Sequence, residues 1–271
     1  DTVARLFKWL GYSSEVCNYI DDTGLQVVDV VTALLYLAPP FYDEGTADFK
    51  NIWRKVPDDQ PLDYFCWDLY ARFQNELVKN PSLPEKREEI LHKIEEGFHP
   101  IAGLAKELAT KIVQSHLDTV TQLSIFYNLL NWESDIIGRG FWEATFELLK
   151  EKGALRFETG GPNEGCWVVP FGGIVETAEG MKSLDKILVR SNGSVTYTGK
   201  DIAYQLWKFG LLKKDFLYKR WGSQADGEML WTTAKEGEPG DQLLKKFGHA
   251  DRVINVIDTR QSYPQQVVIE S

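Results

Sequence analysis

Residues Glu15 to Leu37 constrain the fold of this chain more than any other stretch. Glu15–Ile20 reads as a short strand, Asp21–Gly24 as a polar turn, and Gly24–Leu37 as a long helix apolar enough to be buried. Strand, tight turn and buried helix in succession form the repeating unit of a parallel α/β sheet. Pro39-Pro40 then breaks the helix. Three helical patterns follow an irregular acidic stretch. Leu62–Lys79 places Phe65, Leu69, Phe73 and Leu77 at steps of four, and Pro84–Gly97 is a charged helix opened by its proline. Ile101–Gln122 carries Leu104, Leu108, Ile112 and His116 along one face.

Strand and helix alternate again beyond this block. Leu123–Leu130 reads as a second central strand and Gly140–Gly153 as a helix. Ala154–Glu158 and Cys166–Val169 form a hairpin around Gly-Gly-Pro-Asn-Glu-Gly. Lys186–Arg190 and Val195–Thr198 flank Asn192-Gly193, a pair that tolerates the positive φ angles of a tight turn. Lys200–Phe209 switches to helical spacing through Ile202, Leu206 and Phe209, and Arg252–Ile257 reads as a last strand. The expected architecture is α/β, a parallel-sheet core split by a mainly helical insertion. Residues 1–38 give its first half, 39–122 the insertion, and 123–271 the second half with an irregular insertion at about 211–250. Asp1–Leu10 adds an amphipathic helix with Val3, Leu6, Phe7 and Leu10 on one face.

Composition narrows the function. A chain 43% hydrophobic and 26% charged has the balance of a soluble globular protein. The formal charge of −10 argues against a strongly basic nucleic-acid surface. The small cluster Lys213, Lys214, Lys219 and Arg220 reads as a solvated face. Cys17, Cys66 and Cys166 lie far apart with no Cys-x-x-Cys or Cys/His spacing, which fits reduced thiols in the cytoplasm and no metal site. The longest apolar run, Val27–Ala38, is interrupted by Asp29 and Thr32, so no membrane span is expected, and no secretory leader is read. The four histidines are scattered and read as structural.

Two places carry chemistry. The Asn-Gly hairpin delivers Tyr197 to the mouth of a helix and sets Asp201 in its first turn, where the helix dipole favours a carboxylate. A phenol and a carboxylate four residues apart can face one pocket and accept a cationic, donor-rich ligand. The same pair would also serve as a helix cap and a packed tyrosine. Glu133 stands just past the end of a strand, where open parallel sheets bind ligands, and would equally cap a helix starting near Gly138. Asp22 and Gly24 read locally as a capping aspartate and a turn glycine.

The run LVRSNGSVTYTGKDIAY resembles the arginine-binding segment of arginyl-tRNA synthetases, which are class I aminoacyl-tRNA synthetases. Asn18–Gln26 (NYIDDTGLQ), Trp132-Glu133-Ser134 and Asp251–Gln266 (DRVINVIDTRQSYPQQ) resemble further segments of that family in the same order. Tyr19, Asp22, Gly24 and Gln26 fit its Tyr-x-x-Asp-x-Gly-x-Gln pattern. The resemblance implies a Rossmann-like nucleotide-binding core split by a helical connective insertion. It assigns arginine contacts to Glu133, Tyr197, Asp201 and Gln261.

The implied activity is ATP-dependent activation of arginine and its transfer to tRNA, with Mg2+ accompanying ATP and no prosthetic group. The first residues, DTVARL, resemble the run that follows the family's HIGH motif, but neither HIGH nor KMSKS is found. Met181-Lys182-Ser183 has the wrong order and place for KMSKS. The chain is therefore expected to be an internal stretch of the catalytic core, without the ATP machinery or the anticodon-binding domain, and inactive by itself. Two alternatives stand beside this. One is a non-catalytic module that binds arginine or a protein partner. The other is a different nucleotidyl-transferring enzyme of the same fold, which would need a phosphate-binding histidine motif that the sequence lacks.

Overall fold

A computed structural model describes residues 1–37, 52–53, 56–97, 99–170, 174–177, 180–183, 185–235, 246–259 and 262–270. Its central sheet has four strands in the order β1-β2-β9-β8: β1 (Cys17–Ile20), β2 (Leu129–Trp132), β8 (Leu217–Ser223) and β9 (Met229–Ala234). β2 and β9 run parallel, Leu129 opposite Trp231 and Leu130 opposite Thr232. The chain divides into two compact units. One comprises residues 1–12, 18–128 and 222–230, the other residues 13–17, 129–221 and 231–271.

The first unit is mainly helical, with α1 (Thr2–Trp9), α2 (Leu25–Tyr36), α3 (Leu62–Lys79), α4 (Leu83–Glu96) and α5 (Pro100–Gln122). α2 is buried from Val28 to Leu35 and packs against α3, α4 and α5. Val28, Val31 and Leu34 meet Phe73, Ile90 and Leu108 in one apolar core. Asp29 is buried within it. Arg87 holds this carboxylate through Nε at 2.6 Å and Nη2 at 3.0 Å, and Gln74 Nε2 donates at 2.7 Å. Gly97 closes α4 at φ +74°, and the His99 side chain caps α5 by accepting from the Ile101 amide at 3.2 Å. His116 is exposed, and Val113 and Leu117 continue the buried stripe in its place.

The second unit holds the chemistry-bearing segments. β2 runs directly into α6 (Glu133–Gly138), and α7 (Phe141–Glu151) follows. β3 (Arg156–Phe157), β4 (Trp167–Val169) and β7 (Lys186–Val189) form an antiparallel sheet in the order β3-β4-β7. β5 (Ile174–Thr177) and β6 (Gly180–Ser183) form a separate hairpin. α8 (Tyr197–Lys208) and α9 (Ser262–Glu270) pack together, with Ile202 and Val267 in a core that includes Leu149, Val169 and Leu188.

Four sequence expectations need correction. The strand expected at Leu123–Leu130 lies at Leu129–Trp132, because α5 continues to Gln122 and a turn follows. Val195–Thr198 is no strand: only Val195 bridges to Val189, and α8 begins at Tyr197, so Asp201 stands in its second turn. The stretch read as an irregular insertion contains the regular strands β8 and β9. The expected closing strand Arg252–Ile257 is irregular, with Val256 exposed, and its Asn255 amide is spent on side-chain hydrogen bonds. β9, buried from Leu230 to Ala234, takes the sheet position instead.

Candidate functional site

Two helix starts in the second unit carry the candidate residues. Glu133 is the first residue of α6, immediately after β2, so the strand fixes where its backbone emerges. Its position is reinforced from β9. The Thr233 hydroxyl accepts the Trp132 amide at 3.2 Å and donates to Asp135 Oδ2 at 2.6 Å, while Trp132 Nε1 donates to Thr232 Oγ1 at 2.7 Å. Tyr197 is the first residue of α8, with Thr196 as its N-cap.

The structure brings these two starts together through a residue that the sequence reading passed over. Lys200 Nζ donates to Glu133 Oε1 in an ion pair. The Glu133 side chain is only 8% exposed and that of Lys200 21%. Lys200 lies directly before Asp201 and three residues after Tyr197, so Glu133 sits against the N-terminal half of α8. Tyr197 and Asp201, one turn apart, share a side of that helix. Tyr197 is half exposed. Its hydroxyl accepts from Lys186 Nζ at 3.3 Å, and the same ammonium lies 5.0 Å from its ring centroid. Asp201 is half-buried. Gln261 lies outside the described residues.

α8 fits closely because residue 199 is glycine. A Cβ there would approach the Trp142 ring at 2.8 Å and Val195 Cγ1 at 2.9 Å, closer than such atoms normally come. Further along, the Tyr204 hydroxyl donates to Asn131 Oδ1 at 2.9 Å. Lys208 Nζ donates to Asn255 Oδ1 at 2.8 Å, and Asn255 Nδ2 donates to Gln205 Oε1 at 3.2 Å and Gln265 Oε1 at 2.8 Å. Burial depresses the Lys208 ammonium to about 8 and, with Glu15 nearby, pushes the Cys17 thiol up to about 12. Burial also raises the Tyr204 and Tyr218 phenols.

The second set, Tyr19, Asp22, Gly24 and Gln26, belongs to the first unit. Asp22 is buried and ion-paired with Lys106 Nζ at 3.1 Å, a partner 84 residues away that no local pattern would name. Gly24 is the N-cap of α2, and a Cβ there would run into the Asp21 carboxylate. Tyr19 is half-buried, and Gln26 is exposed in the first turn of α2. Lys200, Asn131 and Lys106 were the residues that sequence reasoning missed. The one available signal was that Lys200 directly precedes a candidate carboxylate, and a lysine on a helix ordinarily reads as a solvated face.

A carboxylate at a strand end and a phenol–carboxylate pair at a helix mouth suit a planar, donor-rich cation. No family model matches the chain. Its fold is similar to the arginyl-tRNA synthetase of Thermus thermophilus, with a TM-score of 0.72 and 29% identity over 100% of this chain and 40% of that one. The fold is thus that of an aminoacyl-tRNA synthetase core. The arginine–tRNA ligase of Thermococcus kodakarensis is 37% identical over 268 residues, 99% of this chain and 40% of that protein. That of Deinococcus radiodurans is 36% identical over 271 residues, 99% of this chain and 39% of that protein. The chain is thus similar to arginine–tRNA ligases over nearly its whole length and spans about 40% of the length of these relatives. No described helix is long and apolar enough to cross a membrane.

Proposed function

We propose that this chain supplies the amino-acid recognition part of an arginine–tRNA ligase. Glu133, Asp201, Tyr197 and Gln261 are read as the arginine contacts. The observation that carries the reading is the meeting of Glu133 with the N-terminal half of α8, which also bears Tyr197 and Asp201. A guanidinium is planar, permanently charged and rich in donors, and carboxylates bind it through paired, charge-assisted hydrogen bonds. Two carboxylates reject citrulline, which is neutral, and the fork geometry disfavours lysine. Gln261 is read as meeting the amino-acid end of the ligand. Residues 39–122 are read as the connective insertion of the core, and Tyr19, Asp22, Gly24 and Gln26 as its second motif.

In the whole enzyme, the arginine carboxylate attacks the α-phosphorus of ATP and pyrophosphate leaves. A ribose hydroxyl of tRNA then attacks the arginyl carbonyl and AMP leaves. ATP enters with Mg2+ as its substrate complex, and the reaction belongs to the cytoplasm. The residues of this chain hold the side chain of arginine, so the carboxylate is aimed at the phosphate. Such positioning supplies a large share of the barrier reduction in two-substrate reactions.

Binding of L-arginine, citrulline and lysine to the purified chain, followed by calorimetry or NMR, tests the recognition. Arginine binds weakly but selectively, and Glu133→Gln or Asp201→Asn weakens it at least tenfold. Equal binding of citrulline overturns the reading. Pyrophosphate exchange into ATP tests the division of labour, and the chain by itself is expected to show none.

A further inference from the structure

We propose that Lys200 is a built-in stand-in for the ligand: its ammonium occupies the Glu133 carboxylate until an arginine guanidinium takes its place. The inference rests on the reading of Glu133 as an arginine contact and goes beyond it, because it assigns a role to a cation already present in the pocket.

The Glu133 side chain is 8% exposed and would be costly to leave charged without a partner. Lys200 Nζ donates to this carboxylate and balances its charge. Three features suit it to a replaceable role. Its ammonium is a point charge on a flexible four-carbon stem, without the fixed fork of a guanidinium. Its side chain keeps 21% of its surface in water, so a route to solvent exists. It also stands near the N-terminus of α8, the end of the helix dipole that disfavours cations, so Glu133 offsets an unfavourable location.

The exchange then has a definite chemistry. An incoming guanidinium offers the carboxylate two parallel N–H donors where Lys200 offers a single charged group. An ammonium ligand would replace like with like at this carboxylate, and a neutral ureido group would bring no charge to balance it. Lys200 therefore sets the free energy that any ligand must exceed, and arginine affinity is lower than the contacts alone would give.

L-arginine binding to the 271-residue chain and its variants tests this. Lys200→Met removes the competitor, and arginine affinity rises about tenfold. Lys200→Arg keeps the charge but fills the position with a guanidinium, and affinity falls below that of the unaltered chain. The order Met above Lys above Arg is not produced by a purely structural lysine, whose replacement lowers affinity in both cases. Lys200→Met also melts at a lower temperature without arginine, and saturating arginine raises its melting temperature more than that of the unaltered chain. If Lys200→Met fails to fold, the Lys200→Arg result decides, since that variant keeps the ion pair.

Arginine affinity in Lys200→Met equal to or weaker than in the unaltered chain, while Glu133→Gln weakens binding, overturns the exchange and leaves the pocket reading intact. Affinity in Lys200→Arg equal to or higher than in the unaltered chain overturns it too. If arginine does not bind, or binds Glu133→Gln and Asp201→Asn as well as the unaltered chain, the pocket reading fails and the exchange with it.

Discussion

Tyr204 and Asn131 are joined by a hydrogen bond of 2.9 Å in which the phenol donates to the amide oxygen, and both side chains are buried. The bond fastens α8 to β2, two positions before Glu133. It fixes the distance between the strand that ends at one candidate residue and the helix that carries two others.

Tyr204→Phe tests that fastening. The Asn131 amide nitrogen already has no hydrogen-bond partner among the described residues, so losing the phenol leaves the whole amide buried and unpaired. The expected loss is about 1–3 kcal/mol of stability, measured by urea unfolding. A loss below about 0.5 kcal/mol would show that the amide finds other partners.

Gly199→Ala adds one methyl group between α8, Trp142 and Val195. Helix propensity alone would favour alanine, by up to about 1 kcal/mol. Overpacking of about 1–3 kcal/mol opposes it, so net destabilisation is expected, with weaker arginine binding as α8 shifts. A stabilised variant with unchanged binding would contradict the packing account.

Arg87→Met breaks the pair that holds Asp29 inside α2. The Asp29 side chain is 2% exposed, so the variant strands a buried carboxylate, at an expected cost of about 3–5 kcal/mol. The double variant Arg87→Met with Asp29→Leu should recover most of it, because replacing a buried pair with apolar groups is often neutral. Thermal melting of both variants checks the order.

Alkaline stability follows from shifted groups of opposite sign. Lys208 titrates near 8 when folded and near 10.5 when unfolded. Between those values the unfolded chain binds more protons, so stability rises with pH, by at most about 1.4 kcal/mol per pH unit. Cys17 and Cys66 behave oppositely, each moving from 9.0 unfolded to about 12 folded, and the raised Tyr204 and Tyr218 phenols act in the same direction, so stability is lost as pH climbs from 9 toward 12. Urea midpoints should therefore rise from pH 8 to 9 and flatten or fall above it. Lys208→Met should abolish the rise, and Cys17→Ala should lessen the fall.

The sequence foretold the helices of the first unit well. Leu62–Lys79 was read to the residue, and the α4 and α5 patterns to within one at each end, because periodic apolar spacing and proline starts are local signals. The strands were harder to read. β9 sits among glycine, lysine and glutamate, and its burial comes from pairing with β2, which no local pattern records. Arg252–Ile257 had the right composition for a strand, but the sheet position was already filled by β9. At the candidate site, the place of Glu133 after a strand and that of Tyr197 at a helix start were legible, whereas Asp201 falls one turn later than its spacing suggested. Lys200 was not, because its partner is 67 residues away and only the folded chain brings them together.

The parallel pairing of β2 with β9 also governs when this protein can fold as it is made. Thr233 and Trp132, which share a hydrogen bond across it, are 101 residues apart in the chain. A ribosome adding roughly 5–20 residues per second needs at least about 5 seconds to cover that distance. Throughout that interval β2, whose four side chains are all buried in the finished fold, has no β9 beside it. The nascent chain therefore carries an apolar strand awaiting its neighbour, the kind of segment that aggregates or is shielded by chaperones. The helices of the first unit, whose contacts are nearer in sequence, can assemble while it waits.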